Sequence, residues 1–272
     1  MNLEEKTLAL KDFIASKGSM LISYSGGVDS ALLAVLATEV LEDKTRCILL
    51  DSPVVPRAAV DEARQIAGEY GLQLENMPVR IMDDERFTKN PADRCYWCKK
   101  KSAKVLKWRM DALHFACIAD GINVSDTGEH RPGLQASTED GVCHPFLEAG
   151  ITKADIREIA QARGLNFWNK PSAACLSSRI PYGDEISYKK LAMIEEAEAF
   201  LHTSGFAQCR VRLHGTIARI EIVPEDVLKL LAIQELLLKT FKAIGFSYVT
   251  LDLEGYRSGS MDEVLAKEEQ PQ

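Results

Sequence analysis

Two rhythms of apolar and polar positions run along this chain, and the change between them falls near residue 170. In the first part, short apolar runs at residues 20–24, 46–50, 73–79 and 115–120 have the length of strands. Between them, residues 30–41, 56–70 and 96–113 carry helical patterns. A further helix is expected from Thr152, where Asp155 three residues on forms a capping-box-like pair, to a stop at Gly164. Residues 1–18 read as an amphipathic helix of mixed charge. Such alternation predicts a mostly parallel sheet with helices on both faces. Ligands of these sheets bind beyond the C-terminal ends of the strands. The run 25–30, Asp51-Ser52 and Asp120-Gly121 all fall at such ends.

The second part has another order. A helix is predicted from Ser187 to about Thr203, closed by Gly205. Residues 209–213 and 216–223 alternate like strands around a His214-Gly215 turn. Pro224 suits the first position of a helix running to Ile244, and residues 246–253 form a last strand. The expected division is therefore an α/β domain over residues 1–170 and a smaller α+β domain over 171–272. Asn169-Lys170-Pro171-Ser172 would link them.

The most specific chemistry lies in Ser25-Gly26-Gly27-Val28-Asp29-Ser30, between the first strand and its helix. Adjacent glycines let backbone N–H groups converge. The helix start adds donors and its positive dipole end, and Ser25 and Ser30 add hydroxyls. Such a pocket suits a phosphate or pyrophosphate, and Asp29 then implies a bridging Mg²⁺. No Gly-Lys-Ser/Thr follows, so this is neither a Walker loop nor a G-x-G-x-x-G turn. It resembles the SGGxDS loop of the PP-loop ATP pyrophosphatases, which split ATP between its α and β phosphates. The plain alternative is a Ser/Gly turn capping a helix.

Composition narrows the setting. No apolar run approaches the ~20 residues of a membrane span, and the N-terminal helix does not read as a signal peptide, so a cytoplasmic location is expected. A net charge of −7 argues against a general nucleic-acid binder. The seven cysteines are expected as thiols or metal ligands rather than disulfides. Cys95-Tyr-Trp-Cys98 suits zinc, an iron–sulfur cluster, a redox dithiol, or simply two thiols at a helix start. Cys47, Cys117 and Cys209 lie in apolar strands and read as buried. Cys143 and Cys175 sit in loops, and three cysteines around a 4Fe–4S cluster would leave one iron for a substrate atom or a sulfide.

Two basic sets accompany the cysteines. Residues 94–109 hold Arg94, Lys99, Lys100, Lys101, Lys104, Lys107 and Arg109 and no acid. This is either a solvated face or a positive field for an anionic substrate. Arg210 and Arg212 share one strand face and suit a bidentate phosphate clamp, unless Glu221 or Glu254 pairs with them.

Several stretches together resemble the LarE family over nearly the whole chain: SGGVDS, Asp120-Gly121-Ile-Asn123, Arg131-Pro132-Gly133, Cys175-Leu-Ser-Ser178-Arg179-Ile-Pro181-Tyr182-Gly183, Arg210-Val-Arg212, and the segment from Tyr248 to Gly259. The resemblance implies ATP-dependent sulfur insertion into pyridinium-3,5-biscarboxylic acid mononucleotide for the nickel-pincer nucleotide cofactor. It also implies a homo-oligomer, a hexamer, and a sulfide source or carrier as partner. It implies ATP and Mg²⁺ at Ser25, Gly26, Gly27, Asp29, Ser30 and Gly121, and substrate at Lys101, Ser178, Arg179, Arg210 and Arg212. Two sulfur chemistries occur in the family: a 4Fe–4S cluster on three cysteines, here Cys95, Cys98 and Cys175, and a sacrificial cysteine at Cys175 that ends as dehydroalanine. With its Cys-Tyr-Trp-Cys pair as well as Cys175, this chain resembles the first type. The stretch from Thr127 to His130 differs from the more acidic form of sacrificial members, so no metal ligands carry over there. Other readings are a tRNA-thiolating PP-loop enzyme and a non-catalytic nucleotide- or metal-binding protein.

Overall fold

The structure, a computed structural model, describes residues 1–127, 132–171, 174–257 and 260–261. Within the Thr127–His130 stretch only Thr127 is among them. Arg131, Ser172 of the expected linker, Gly259 and the C-terminal tail are outside. Contacts divide the chain into two compact units, Met1–Ile81 with Asp93–Ala173, and Met82–Ala92 with Ala174–Gln272. The short segment 82–92, which the sequence reading kept with the first part, packs with the second.

The first unit starts with α1 (Leu3–Lys17), whose N-terminus is closed by a capping box between Asn2 and Glu5. β1 (Met20–Tyr24), α2 (Val28–Leu41), β2 (Thr45–Asp51), α3 (Arg57–Glu69) and β3 (Leu74–Pro78) follow. The chain then enters the second unit with α4 (Glu85–Thr88). It returns through α5 (Arg94–Leu113), β4 (Cys117–Ala119), α6 (Pro132–Glu139), α7 (Pro145–Glu148) and α8 (Lys153–Ala162). The four strands pair in parallel in the order β3-β2-β1-β4. Parallel strands need crossovers, which is why a helix separates each from the next.

Side chains alternate across this sheet. Met20, Ile22, Tyr24, Cys47 and Leu49 join one core with α1, α2 and α8, while Leu21, Ile48, Met77 and Ile118 face Leu106 of α5. Each fully buried Leu or Ile contributes about 1.5–3 kcal/mol. α2 is apolar nearly all round, with Ala31, Leu32, Leu33, Ala34, Leu36 and Ala37 fully buried. A helix so enclosed fixes the loop at its N-terminus.

The second unit packs α9 (Tyr188–Thr203) with the hairpin β5 (Cys209–His214) and β6 (Ile217–Ile222). Ser187 caps α9 by accepting from Lys190 N. β7 (Tyr248–Leu251) runs parallel to β6. The single helix expected from Pro224 to Ile244 is three pieces: a 3₁₀ turn at Pro224–Asp226, α10 (Val227–Ala232) and α11 (Gln234–Ile244). Buried Leu230, Leu237 and Phe241 keep helical spacing across the break at Ile233, so the pattern hid it.

Among the described residues, no helix is long and apolar enough to cross a membrane.

Candidate active site

The glycine loop sits where β1 ends and α2 begins. Gly26 has φ 70°, and a Cβ there would lie 2.5 Å from Ala63 Cβ and 2.7 Å from its Cα, so no other residue fits. Gly27 is the N-cap of α2 and makes no side-chain cap bond. The two serines close the loop on itself: Ser25 N donates to Ser30 Oγ at 3.1 Å, their hydroxyls are 3.1 Å apart, and Ser30 Oγ donates to Gly27 O. Gly121, just past β4, completes one wall. A Cβ on it would come within 2.9 Å of Asp29 Cβ and Ser30 N. Ser25, Gly26, Gly27, Asp29, Ser30 and Gly121 are thus brought together.

Two lysines that the sequence reading did not single out hold this loop. Lys153 Nζ lies 2.6 and 2.7 Å from the two carboxylate oxygens of Asp29. Lys170 Nζ donates to Gly26 O at 2.9 Å and pairs with Glu62 at 2.8 Å. Lys153 opens α8, where a cation opposes the helix dipole. That misplaced charge was the available signal, because such a lysine needs an anion elsewhere.

Asp120, at the same strand end, accepts from Ile122 N and lies 2.8 Å from His144 Nδ1. Asp51 ends β2. Burial works to raise its pKa, but hydrogen bonds from Arg57 and Asn76 outweigh it and hold the carboxylate below its usual range.

The basic helix α5 is partly neutralised. Lys100 bridges Glu139 and Asp140, Lys107 pairs with Asp140, and Arg109 pairs with Glu75. Tyr96 Oη donates to Glu139 at 2.7 Å. Lys99, Lys101 and Lys104 make no ion pair among the described residues, so the positive field is narrower than the sequence implied. Near the start of this helix Cys95 is exposed and Cys98 half-buried. They lie three residues apart, on one helix face.

Cys175 belongs to the second unit, at the N-cap of a 3₁₀ turn over Leu176–Arg179. Its Sγ lies 2.9 Å from Ser177 Oγ, and its carbonyl accepts from Ser178 N, Ser178 Oγ and Arg179 Nη1. Arg179 is 2% exposed. It forms a bidentate pair with Glu198 and donates Nη1 to Ala174 O, Cys175 O and Ser178 Oγ. Arg212 is likewise buried against fully buried Glu221, and it donates to Ser178 O and Ser260 Oγ. Ser178, Arg179 and Arg212, expected at a bound phosphate, all hydrogen-bond within the second unit. A buried guanidinium must be paired: Nε and Nη2 of Arg179 go to Glu198 and those of Arg212 to Glu221, while the Nη1 of each reaches the Cys175 turn. Glu221 on β6 is one of the two partners expected for Arg212, whereas nothing local in the sequence ties Glu198 on α9 to Arg179.

Arg210 is different. It is half-buried, donates to Cys209 O and stacks over Tyr256 at 5.3 Å, with no carboxylate partner among the described residues. Burial, then the charge of Arg179, lower its pKa. Cys47, Cys117 and Cys209 are buried, which pushes their thiols up to about 12 and keeps them protonated. None of the seven cysteines forms a disulfide, and among the described residues no three His, Cys, Asp or Glu side chains are gathered to hold a metal ion.

Comparison with known proteins fits the loop and the sheet order. The NAD synthase family model matches residues 3–113. An uncharacterized protein of Synechocystis is 40% identical over 97% of this chain and 100% of its own length. Pyridinium-3,5-bisthiocarboxylic acid mononucleotide synthase of Lactiplantibacillus plantarum is 34% identical over 90% of both chains. The chain belongs to the LarE family. It is thus a PP-loop, ATP-dependent enzyme, and the parallel sheet with a second small sheet is its fold. An uncharacterized protein of Methanocaldococcus jannaschii is 35% identical over 93% of this chain and 98% of its own length.

Proposed function

We propose that this enzyme inserts sulfur into pyridinium-3,5-biscarboxylic acid mononucleotide in two half-reactions: adenylation of a carboxylate by ATP, then thiocarboxylate formation. The observation that carries the reading is the 34% identity to the L. plantarum synthase across 90% of both chains. A carboxylate is a poor acyl donor because oxide would have to leave. Adenylation makes AMP the leaving group, with pyrophosphate released.

The glycine loop supports the first half-reaction. Its backbone N–H groups and the hydroxyls of Ser25 and Ser30 suit the departing pyrophosphate. Asp29 and Gly121 flank that position, and we assign the Lys153 ammonium, held on Asp29, as a cation that turns to a phosphate oxygen. The carboxylate it would release suits the Mg²⁺ that accompanies ATP, since both its oxygens already face a cation. Lys101 and Arg210 are the cations we assign to the substrate's phosphate and carboxylates.

For the second half-reaction we assign Cys95, Cys98 and Cys175 as ligands of a 4Fe–4S cluster. The donor set suits it: three partly accessible thiols, two of them one helical turn apart, outside any disulfide. A cluster bound there would supply the sulfide that takes the place of AMP on the acyl carbon. The chain's own part is to hold Cys175 in a fixed turn through Arg179 and Ser178. We further propose a homohexamer working in the cytoplasm, resupplied by a sulfide source or sulfur carrier.

Anaerobic purification with iron and sulfide analysis tests the reading. About four irons per chain and broad absorbance near ~400 nm are expected for cysteine-ligated clusters, with thiocarboxylate product by mass spectrometry. An iron-free active enzyme whose chain loses the mass of H₂S on turnover would move the assignment to a sacrificial Cys175. Absence of product with the biscarboxylic substrate, ATP and sulfide would overturn the function.

A further inference from the structure

Asn90 lies on the Met82–Ala92 segment, which the chain contributes to the second unit out of sequence order. It is 0% exposed and has φ 56°, in the left-handed region. Its Nδ2 faces three backbone carbonyls: Pro181 O at 2.7 Å, Asp184 O at 3.0 Å and Ile180 O at 3.3 Å. Three acceptors around one end of the amide assign that end as NH₂. Asn90 O accepts in turn from Gly183 N at 2.9 Å, and Thr88 O accepts from Ile186 N at 2.7 Å. The side chain therefore gathers the turn at residues 180–184. That turn begins directly after Arg179, whose guanidinium holds the carbonyls of Ala174 and Cys175.

A buried amide in a strained conformation needs a reason. Non-glycine residues avoid positive φ, and asparagine tolerates it best. Asn90 Oδ1 is buried with no partner among the described residues, so only the donor end is used. Any other side chain loses the donors, the conformation or both. We propose that Asn90 is a positioning residue for sulfur transfer: by fixing the 180–184 turn it fixes Arg179, and through Arg179 the placement of Cys175. Nothing in it touches substrate. The proposal rests on the reading of Cys175 as the residue that handles sulfur.

The test uses the full-length protein and two variants that disturb the turn from different sides. Asn90→Gly keeps the backbone conformation and removes the donors. Gly183→Ala leaves Asn90 in place and strains the turn at φ 82°, where a Cβ meets nothing within 4 Å, and its folding is checked by urea denaturation. Iodoacetamide labelling is followed by peptide mass spectrometry, with Cys175 measured against Cys143, a half-buried thiol outside the proposed cluster, in the same digest. Cys175 labelling should rise about tenfold in both variants. The kcat of thiocarboxylate formation should fall about 10- to 100-fold, the cost of a misplacement near 1 Å, while pyrophosphate exchange and KM for ATP hold. Labelling ratios within twofold of wild type in folded Gly183→Ala protein would overturn the proposal. Wild-type protein that makes no thiocarboxylate would instead overturn the functional reading, and the labelling ratio would still decide whether Asn90 positions Cys175.

Discussion

Lys153 Nζ meets both carboxylate oxygens of Asp29, at 2.6 and 2.7 Å, across 124 residues of sequence. The pair ties the start of α8 to the start of α2, and it places a cation beside the glycine loop proposed to face pyrophosphate. Lys153→Met should therefore lower ATP–pyrophosphate exchange by about 100-fold, the usual cost of a positioned electrostatic donor. Exchange within twofold of wild type would show that the lysine serves only to balance Asp29.

Gly26 is fixed by two constraints at once, its positive φ and its contact with Ala63. Gly26→Ala should destabilise the protein by about 3 kcal/mol or more, from overpacking plus the left-handed penalty. Adding Ala63→Gly should not restore it, because Ala63 Cα itself lies 2.7 Å from the new Cβ. Urea denaturation of the single and double variants measures this, and full recovery in the double variant would mean that only the Ala63 methyl matters.

The buried pairs behind the Cys175 turn separate a structural role from a ligand role. Glu198→Gln leaves Arg179 charged and underpaired inside the unit, which should cost about 3–5 kcal/mol of stability. Arg179→Lys keeps the charge but loses the fork that reaches Glu198, Ala174 O and Cys175 O together. Both should lower the urea midpoint. A normal midpoint with only a raised KM for the mononucleotide would return Arg179 to substrate binding.

What the sequence made legible was local. β1 is where its apolar run put it, at Met20–Tyr24, and the glycine loop lies between strand and helix as its residues required. The capping box at Thr152 and Asp155 is also present. What stayed hidden depends on pairing across distance. Arg179 looks like a phosphate ligand in sequence because nothing local announces Glu198, whereas Glu221 is the alternative partner that the sequence already offers Arg212. The role of Asn90 is invisible for the same reason, since its three acceptors lie 90 or more residues away. The break at Ile233 escaped because the apolar period continues through it.

Cys95 and Cys98 distinguish the two sulfur chemistries. If three cysteines hold a cluster, Cys98→Ala should abolish both iron binding and thiocarboxylate formation while pyrophosphate exchange continues. Cys175→Ala should behave alike. If Cys175 were sacrificial, Cys98→Ala would retain single-turnover product and the chain would lose the mass of H₂S. Retained sulfur transfer in Cys175→Ala would sink both chemistries.

His214, at the end of β5, gives the enzyme an acid-sensitive spot above the carboxylate range. Burial, followed by the positive charge of Arg219, lowers its pKa, and its Nε2 is buried with no partner among the described residues. The folded pKa thus lies below the unfolded value of about 6.5. The unfolded chain binds the proton more readily, so the stability that neutral His214 contributes is present above about pH 6.5 and is lost as pH falls toward the folded pKa. Asp51, Asp140 and Asp155 also have lowered pKa values, but as carboxylates they titrate below about pH 4 and stay silent in this window. Urea midpoints at about pH 7.5 and about pH 5.5, roughly one unit to either side of its unfolded pKa, isolate the histidine. Wild type should lose more stability between them than His214→Phe, which keeps the ring and cannot take the proton. Equal losses in the two proteins would place the acid sensitivity elsewhere.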